Sequence, residues 1–494
     1  MTQPIKKIVI AGGGTAGWMT AAALSKLMGK DLDITLVESE SIGTVGVGEA
    51  TIPTLLFFHR LLGIDEKEFL AATQATYKLG ISFENWRDVG KDYIHAFGVT
   101  GKDCWACGFQ HFWLRAKQLG LAGDFGDYCL ERRAAEAEKF THLPNNGLNY
   151  AFHFDASLYA KYLRQFSESN GAKRVEGKID QVMLHPENGH IRALKLDSGR
   201  ELDGDFFIDC TGMRALLIEK TLHTGFESWS HWLPCDGAVA VQTEAVAPPI
   251  PYTRSIARES AWQWRIPLQH RVGNGLVYSG AYQSDESAKR QLMDNIEGKP
   301  LADPRIIKFQ TGRRRKQWHK NCLAVGLSSG FLEPLESTSI HLIQQNIVRF
   351  LRLFPHREIR QIEVDEYNRQ ADFEMERIRD FIILHYKVTE RDDTEFWRYC
   401  RQMDVPDSLA AKIDMFRETG HVYREGNELF VDSWQQVMIG QGLMPERYHP
   451  LVDTMPEQEL RDFIAHVKAG VDGDLSRLQD HNTYLASLMS GQGQ

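Results

Sequence analysis

Apolar and polar positions along the chain switch between a period of two and a period near 3.6, and the switch points outline its organisation. Residues 5–38 read as one strand–helix–strand unit. KKIVIAG is a short apolar strand, TAGWMTAAALSKLMG an alanine-rich helix and DITLVES a second strand. Residues 86–112 are dense in aromatics and read as mixed loops and short segments, and 155–164 predict a helix with Asp155 as N-cap. The period of two returns in KIDQVMLHPENGHIRALKLDSGRELDGDFFIDCTG, where HPENGH and DSGR are turn signals. This predicts a β-meander closing on an apolar strand at 205–209. Residues 225–310 again suggest antiparallel strands, broken by Pro248, Pro249 and Pro251. After Leu323 an apolar strand leads into a helix over 337–354, closed by Pro355, and 356–494 carry helical periodicity with little strand signal.

The composition fits a soluble globular chain: 494 residues, 43% hydrophobic and 25% charged, with room for two to four domains or one elaborated domain. No apolar run reaches the ~18–20 residues of a membrane span, and the N-terminus lacks the apolar core of a signal peptide. The expectation is a cytoplasmic protein with no membrane partner. A net charge of −9 opposes nucleic acid as a partner, and the one basic run, Arg313 to Lys316, reads as a solvated face or an anion contact. Seven cysteines make a disulfide framework a poor fit. Cys104-Trp-Ala-Cys107, with His111 downstream, admits a zinc or redox reading beside that of structural thiols. A second ligand pair is missing, so no metal site is expected.

Gly12-Gly13-Gly14-Thr15-Ala16-Gly17 is GxGxxG between a strand and a helix. Gly12 permits a tight turn, Gly14 lets backbone approach a pyrophosphate, and Gly17 lets helix and strand pack closely, with the helix N-terminus facing the anion. Glu38 ends the second strand, where a carboxylate accepts hydrogen bonds from ribose hydroxyls. FFIDCTG at 206–212 and NCLAVGLSSGFLEPL at 321–335 are apolar strands ending in small residues, suited to backbone closing over a cofactor. The arrangement resembles the α/β, FAD-binding Rossmann-like fold of flavoprotein hydroxylases. It lacks the second GxGxxG of a dedicated NAD(P)H domain, which weakens an intrinsic nicotinamide site without excluding it.

GGGTAGWMTAAAL at the N-terminus, GVGEATIPT at 46–54, Trp262-Gln-Trp264-Arg-Ile266-Pro267 and FLEPLEST at 331–338 together resemble the flavin-dependent tryptophan halogenase family, in family order and over essentially the whole chain. The resemblance implies an FAD-binding domain over 1–355, with inserted substrate-side sheet segments at about 90–150 and 225–310, and a mainly helical substrate-covering region over 356–494. It implies cofactor contacts at Gly48, Glu49, Ala50, Ile179, Gly326 and Leu327 as well as at the glycine-rich turn. It also implies the chemistry: FADH2 from a separate NAD(P)H-dependent flavin reductase, with O2 and chloride or bromide, gives hypohalous acid that halogenates an electron-rich aromatic. A homodimer is a further implication. A flavin monooxygenase and a non-catalytic flavin-binding protein are the competing readings, and WQWRIP opposes the first.

Each site residue has an ordinary alternative. Lys78, between apolar positions, reads as a solvated stem; the resemblance makes it the group that holds hypohalous acid or forms a haloamine. Glu336 reads as a charge favoured by a helix N-terminus; by resemblance it polarises the halogenating species and takes the ring proton, with Glu333 as competitor. Thr338 and Ser339 open a helix whose amides bind halide in the family, where glycine is usual at the position of Ser339. Trp262 and Trp264 share a strand face and by resemblance separate flavin from substrate. His95, Phe97 and Trp434 line the substrate pocket by the same argument, with core packing as the alternative. Tryptophan-directed members carry tyrosines and a carboxylate before that tryptophan, whereas HVYREGNELFVDSW offers only Tyr423. An indole without the amino-acid group, or another electron-rich aromatic, is the expected substrate.

Overall fold

Strand Lys7–Ala11 is buried over four of its five residues, as a strand in the middle of a parallel sheet must be. It pairs in parallel with Asp33–Glu38 on one side and Phe206–Asp209 on the other. Cys322–Ala324 and Lys173–Glu176 extend the parallel run, and Trp318–His319 closes it antiparallel. Helix Thr15–Met28 covers the sheet through Ala21, Ala22, Ala23 and Leu24, all without exposed surface, and Ala156–Ser169 and Ser339–Arg352 pack on it. Asp155 caps Ala156–Ser169 by accepting from the amides of Ser157 and Leu158, as expected. In this computed structural model, which describes residues 4–42, 48–144, 147–426, 428–430 and 432–490, the chain forms two compact units. The first comprises 1–75, 154–231 and 309–376, the second 76–153, 232–308 and 377–494.

The β-meander forms from Ile179–Leu184, Ile191–Leu196 and Glu201–Asp203, but the apolar strand after it leaves the meander for the parallel sheet. The reason lies in its four buried residues, which need cover on both faces. In the second unit a seven-stranded sheet runs in the order Arg305–Lys308, Gly237–Thr243, Val272–Tyr278, Ala261–Pro267, Thr253–Ala257, Gly80–Glu84, Asp92–Ala96. The expected break at the prolines falls between Gly237–Thr243 and Thr253–Ala257. Two expectations of strand there are corrected. Residues 285–294 form a helix, capped by the Ser284 side chain and seated through Ala288 and Leu292. Among the described residues of 90–150, only Asp92–Ala96 joins the large sheet, while Phe109–Gln118 is a helix whose Phe109, Phe112, Trp113 and Ala116 enter an aromatic core. Residues 356–494 are mainly helical, from Gln361–Lys387 to His481–Ser490.

The Asp209 carboxylate has no exposed surface and accepts four hydrogen bonds, from Thr211 N and Oγ1 at 2.9 and 2.7 Å and from Leu217 N and Ile218 N at 2.8 and 2.9 Å. Burial pushes its carboxyl above the usual range despite these donors. Asp209→Ala strands several buried donors, at ~1–3 kcal/mol each, and the expected result is a urea midpoint lowered by at least about 3 kcal/mol in stability with an unchanged slope.

Candidate functional site

Ala11, Asp209 and Ala324 lie in register on neighbouring parallel strands. The three chains therefore leave the sheet at one level, the edge where doubly wound folds bind ligands. Gly12 turns there at φ +107, and a Cβ on it would meet the Cys210 carbonyl oxygen at 2.3 Å. Gly17 lies so close under the turn that its Cβ would meet Gly12 O at 1.9 Å, whereas a Cβ on Gly14 would meet nothing within 4 Å. The space over Gly14 faces the start of helix Thr15–Met28, where no side chain caps the first amides. Glu38 reaches back to Gly13, whose Cβ would meet its carboxylate at 1.5 Å. Its Oε1 accepts from Arg174 Nε at 2.5 Å. Gly326 turns at φ +74 against Ala16, 2.8 Å from the position of its own Cβ, with Leu327 beside it in the turn Gly326–Ser328. The glycine turn, Glu38 and the late strand-turn element are thus brought together in one unit.

Strand Gly48–Ala50 follows in the same unit, while Gly46 and Val47 lie outside the described residues. Burial alone pushes the Glu49 carboxyl up to about 7. Ile179 begins a meander strand and packs against the apolar cluster behind the sheet. The 46–54 motif ends at Thr54, whose hydroxyl meets His341 Nδ1 at 2.9 Å; His341 Nε2 meets Glu374 at 3.1 Å, and Glu374 pairs with Arg349 at 2.6 Å. His341 was not anticipated from sequence, although it stands two residues after Ser339. Glu333 and Glu336 have no exposed surface. The helix starts at Ser339, two residues later than predicted, because Ser337 takes a left-handed φ of +57. Thr338 Oγ1 is buried and makes no hydrogen bond among the described residues.

The second unit holds the remaining candidates. Lys78 has no exposed surface, ends strand Thr76–Lys78 opposite Ala151, and sets its ammonium 5.1 Å from the centroid of the Phe97 ring. Next to it, His153 bridges the hydroxyls of Thr76 and Thr253 at 3.1 and 2.9 Å. Burial, and then the charge of Lys78, hold its pKa well below the usual value, so His153 stays neutral. His95 packs edge-on against Phe381 and Phe430, which stack at 4.3 Å, and Trp434 meets Phe381 at 5.1 Å. Gln436 ties this group together: its side-chain amide accepts from Ala96 N at 3.0 Å and donates to Gly98 O at 2.7 Å, on either side of Phe97. Trp262 and Trp264 are buried neighbours, their ring centroids 6.1 Å apart, with Gly275 making room for Trp264. Phe381, Phe430 and Gln436 were missed because single apolar or amide residues on helices and loops carry no motif.

The other sequence candidates serve the fold. Arg313 pairs with Glu227, Asp372 and Glu376, and Arg314 with Glu219, which accounts for half of the basic run. Cys104 and Cys107 exchange backbone hydrogen bonds and keep free thiols. His111 Nδ1 accepts from His449 N at 3.2 Å, and burial lowers its pKa to about 4. No group of three or more His, Cys, Asp or Glu converges on a metal position among the described residues, nor is any helix there long and apolar enough to cross a membrane.

The tryptophan halogenase family model matches residues 7–457. The chain belongs to the tryptophan halogenase family. It is 34% identical to tryptophan 7-halogenase RebH of Lentzea aerocolonigenes, over 92% of this chain and 93% of that protein. Among solved structures, it resembles the flavin-dependent halogenase Xcc4156 of Xanthomonas campestris at 56% identity and TM-score 0.97, covering 98% of this chain and 99% of the other. BrvH, a flavin-dependent halogenase from Brevundimonas sp. BAL3, matches at 47% identity and TM-score 0.94, again over 98% and 99%. The protein is therefore an enzyme, a flavoprotein halogenase and oxidoreductase with the FAD-binding Rossmann-like fold. FAD and halide are its family's cofactors, and such halogenases draw on a separate flavin reductase. The open space over Gly14, the uncapped helix start and the carboxylate at Gly13 fit a dinucleotide.

Two outcomes follow. Gly12→Ala has no room for its methyl group and must hold a φ that side chains rarely adopt, so the purified variant is expected to lose bound FAD, read from its visible absorbance. For Glu49, the folded state keeps a proton between pH 4.5 and about 7 that the unfolded chain releases. Its contribution makes stability fall as pH rises through that window, and urea titrations from pH 5 to 7.5 should show a shallower fall for Glu49→Gln.

Proposed function

We propose that this halogenase acts on indole, or a related electron-rich arene without a free amino-acid group, with Lys78 and Glu336 as catalytic residues. The observation that carries the reading is Lys78: a cationic side chain with no exposed surface, set against the Phe97 ring, in the unit that also gathers His95 and Trp434 into one aromatic cluster. A buried ammonium is costly and needs a purpose or a partner. Bound reduced FAD, with O2 and chloride or bromide, supplies hypohalous acid.

Lys78 donates a hydrogen bond to the oxygen of hypohalous acid, or carries the halogen as a haloamine, and so leaves the halogen electrophilic. The ring attacks the halogen: from hypohalous acid the halogen–oxygen bond breaks and the departing hydroxide takes a proton from the Lys78 ammonium to become water; from the haloamine, whose formation has already released water, the halogen–nitrogen bond breaks and its electron pair returns to the Lys78 amine. Glu336 stabilises the cationic ring and accepts the proton from the halogenated carbon. Thr338 and Ser339 hold halide, a role supported by the buried Thr338 hydroxyl with no hydrogen bond among the described residues. Trp262 and Trp264, whose indoles fill the space beside their strand, keep the organic substrate from the flavin. Gly12, Gly14, Thr15, Ala16, Gly17 and Glu38 hold the dinucleotide, with Gly48, Glu49, Ala50, Ile179, Gly326 and Leu327 completing the cofactor site. Residues 356–494 cover the substrate. The reading extends to a cytoplasmic homodimer supplied with FADH2 by an NAD(P)H-dependent reductase.

The test combines the protein with FAD, a flavin reductase, NADH, indole and either bromide or chloride, with products read by mass spectrometry. A halogen isotope pattern is expected. It should fall ~10²–10⁴-fold in Lys78→Ala and in Glu336→Gln, with FAD binding retained. Hydroxylated, halogen-free product would replace this reading with that of a monooxygenase.

A further inference from the structure

Beside the aromatic cluster lies a second buried lysine that the reaction does not use. Lys412 is 4% exposed and Glu428 5%. The Lys412 ammonium donates to both carboxylate oxygens of Glu428, at 2.6 and 2.5 Å. Glu428 Oε1 also accepts the Trp434 indole N–H at 2.9 Å, and Oε2 the Glu425 backbone N–H at 3.4 Å. The ammonium sits over two rings, 4.7 Å from the centroid of Trp434 and 5.1 Å from that of Tyr423. A position held by a carboxylate and lying over two aromatic faces is the chemistry that recognises an organic ammonium. Here the chain's own lysine occupies it.

We propose that Lys412 determines substrate specificity: it stands in for a substrate ammonium on Glu428, so that the Trp434 end of the pocket presents compensated charge and selects neutral arenes over aminoalkyl ones. The proposal rests on Trp434 forming a wall of the substrate site. Both carboxylate oxygens are engaged, so a substrate amine must displace Lys412 where neither ion has water to turn to. A substrate carboxylate finds the ammonium equally committed. A neutral ring has neither cost and stacks on the cluster. Holding the helix in place would not by itself require this, since apolar side chains of similar volume do so as well as a buried ion pair.

The test measures binding and bromination of indole, tryptamine and indole-3-acetate by the FAD-loaded enzyme, using calorimetry and mass spectrometry. Wild type should favour indole over both charged analogues. Lys412→Ala opens the space and leaves Glu428 uncompensated, so the ratio of tryptamine to indole, in Kd and in kcat/KM, should rise at least tenfold. Glu428→Gln should shift preference toward indole-3-acetate instead. Lys412→Ala with Glu428→Gln has the same cavity without the charge and should lose the gain for tryptamine. A folded Lys412→Ala with the wild-type ratio, or a double variant that keeps the gain, overturns the proposal. Should the variants not fold, wild type decides alone: binding tryptamine as tightly as indole also overturns it. Binding preferences that shift as stated without bromination of any arene would support this inference and count against the proposed reaction.

Discussion

Three parallel strands end at the same level, and this constraint organises the first unit. Ala11, Asp209 and Ala324 stand side by side, so whatever follows each strand competes for the same few ångströms of space. Asp209 resolves the competition by folding the chain after it around its own carboxylate, and Ser328 Oγ donates to its carbonyl oxygen. The Cys210 carbonyl is thereby set where only a glycine passes, and Gly326 settles against Ala16. The turns at this edge are made from backbone and held from behind by one buried carboxylate.

The second unit works by different means. Its candidates are held by side chains: an amide bridges two backbone groups, an ion pair fastens an indole, and stacked rings carry a histidine. Charges there are permitted only under control. His153 stays neutral between two hydroxyls, Lys412 is matched by Glu428, and Lys78 faces an aromatic ring. Side-chain contacts of this kind are lost with single substitutions, whereas the glycine turn leaves no room even for a Cβ at Gly12 or Gly17.

What was legible in the sequence follows the same division. The glycine turn and its flanking strands were legible because backbone geometry restricts residue type, and glycine at φ +107 leaves a mark in the sequence. The apolar strand 206–209 was visible as an element, but its partner was not, since pairing depends on which faces find cover. Helix Asp285–Asp294 was missed because two buried residues on ten give almost no periodic signal. In the aromatic site, Lys78, His95, Phe97 and Trp434 were reached only through resemblance to a family. Gln436, Phe381 and the Lys412–Glu428 pair lie far apart in the chain or outside any motif, and only folding makes them neighbours.

The Gln436 amide imitates a strand edge, presenting an acceptor to Ala96 and a donor to Gly98 as an eighth strand of the sheet would. Helix Trp434–Gly440 is thereby indexed to a particular pair of peptide groups, to within a hydrogen-bond length. The aromatic cluster around Trp434 and the strand bearing His95 are consequently held as one piece. Because both bonds are to backbone groups, the amide at 436 fixes the helix to this edge whatever side chains the strand carries.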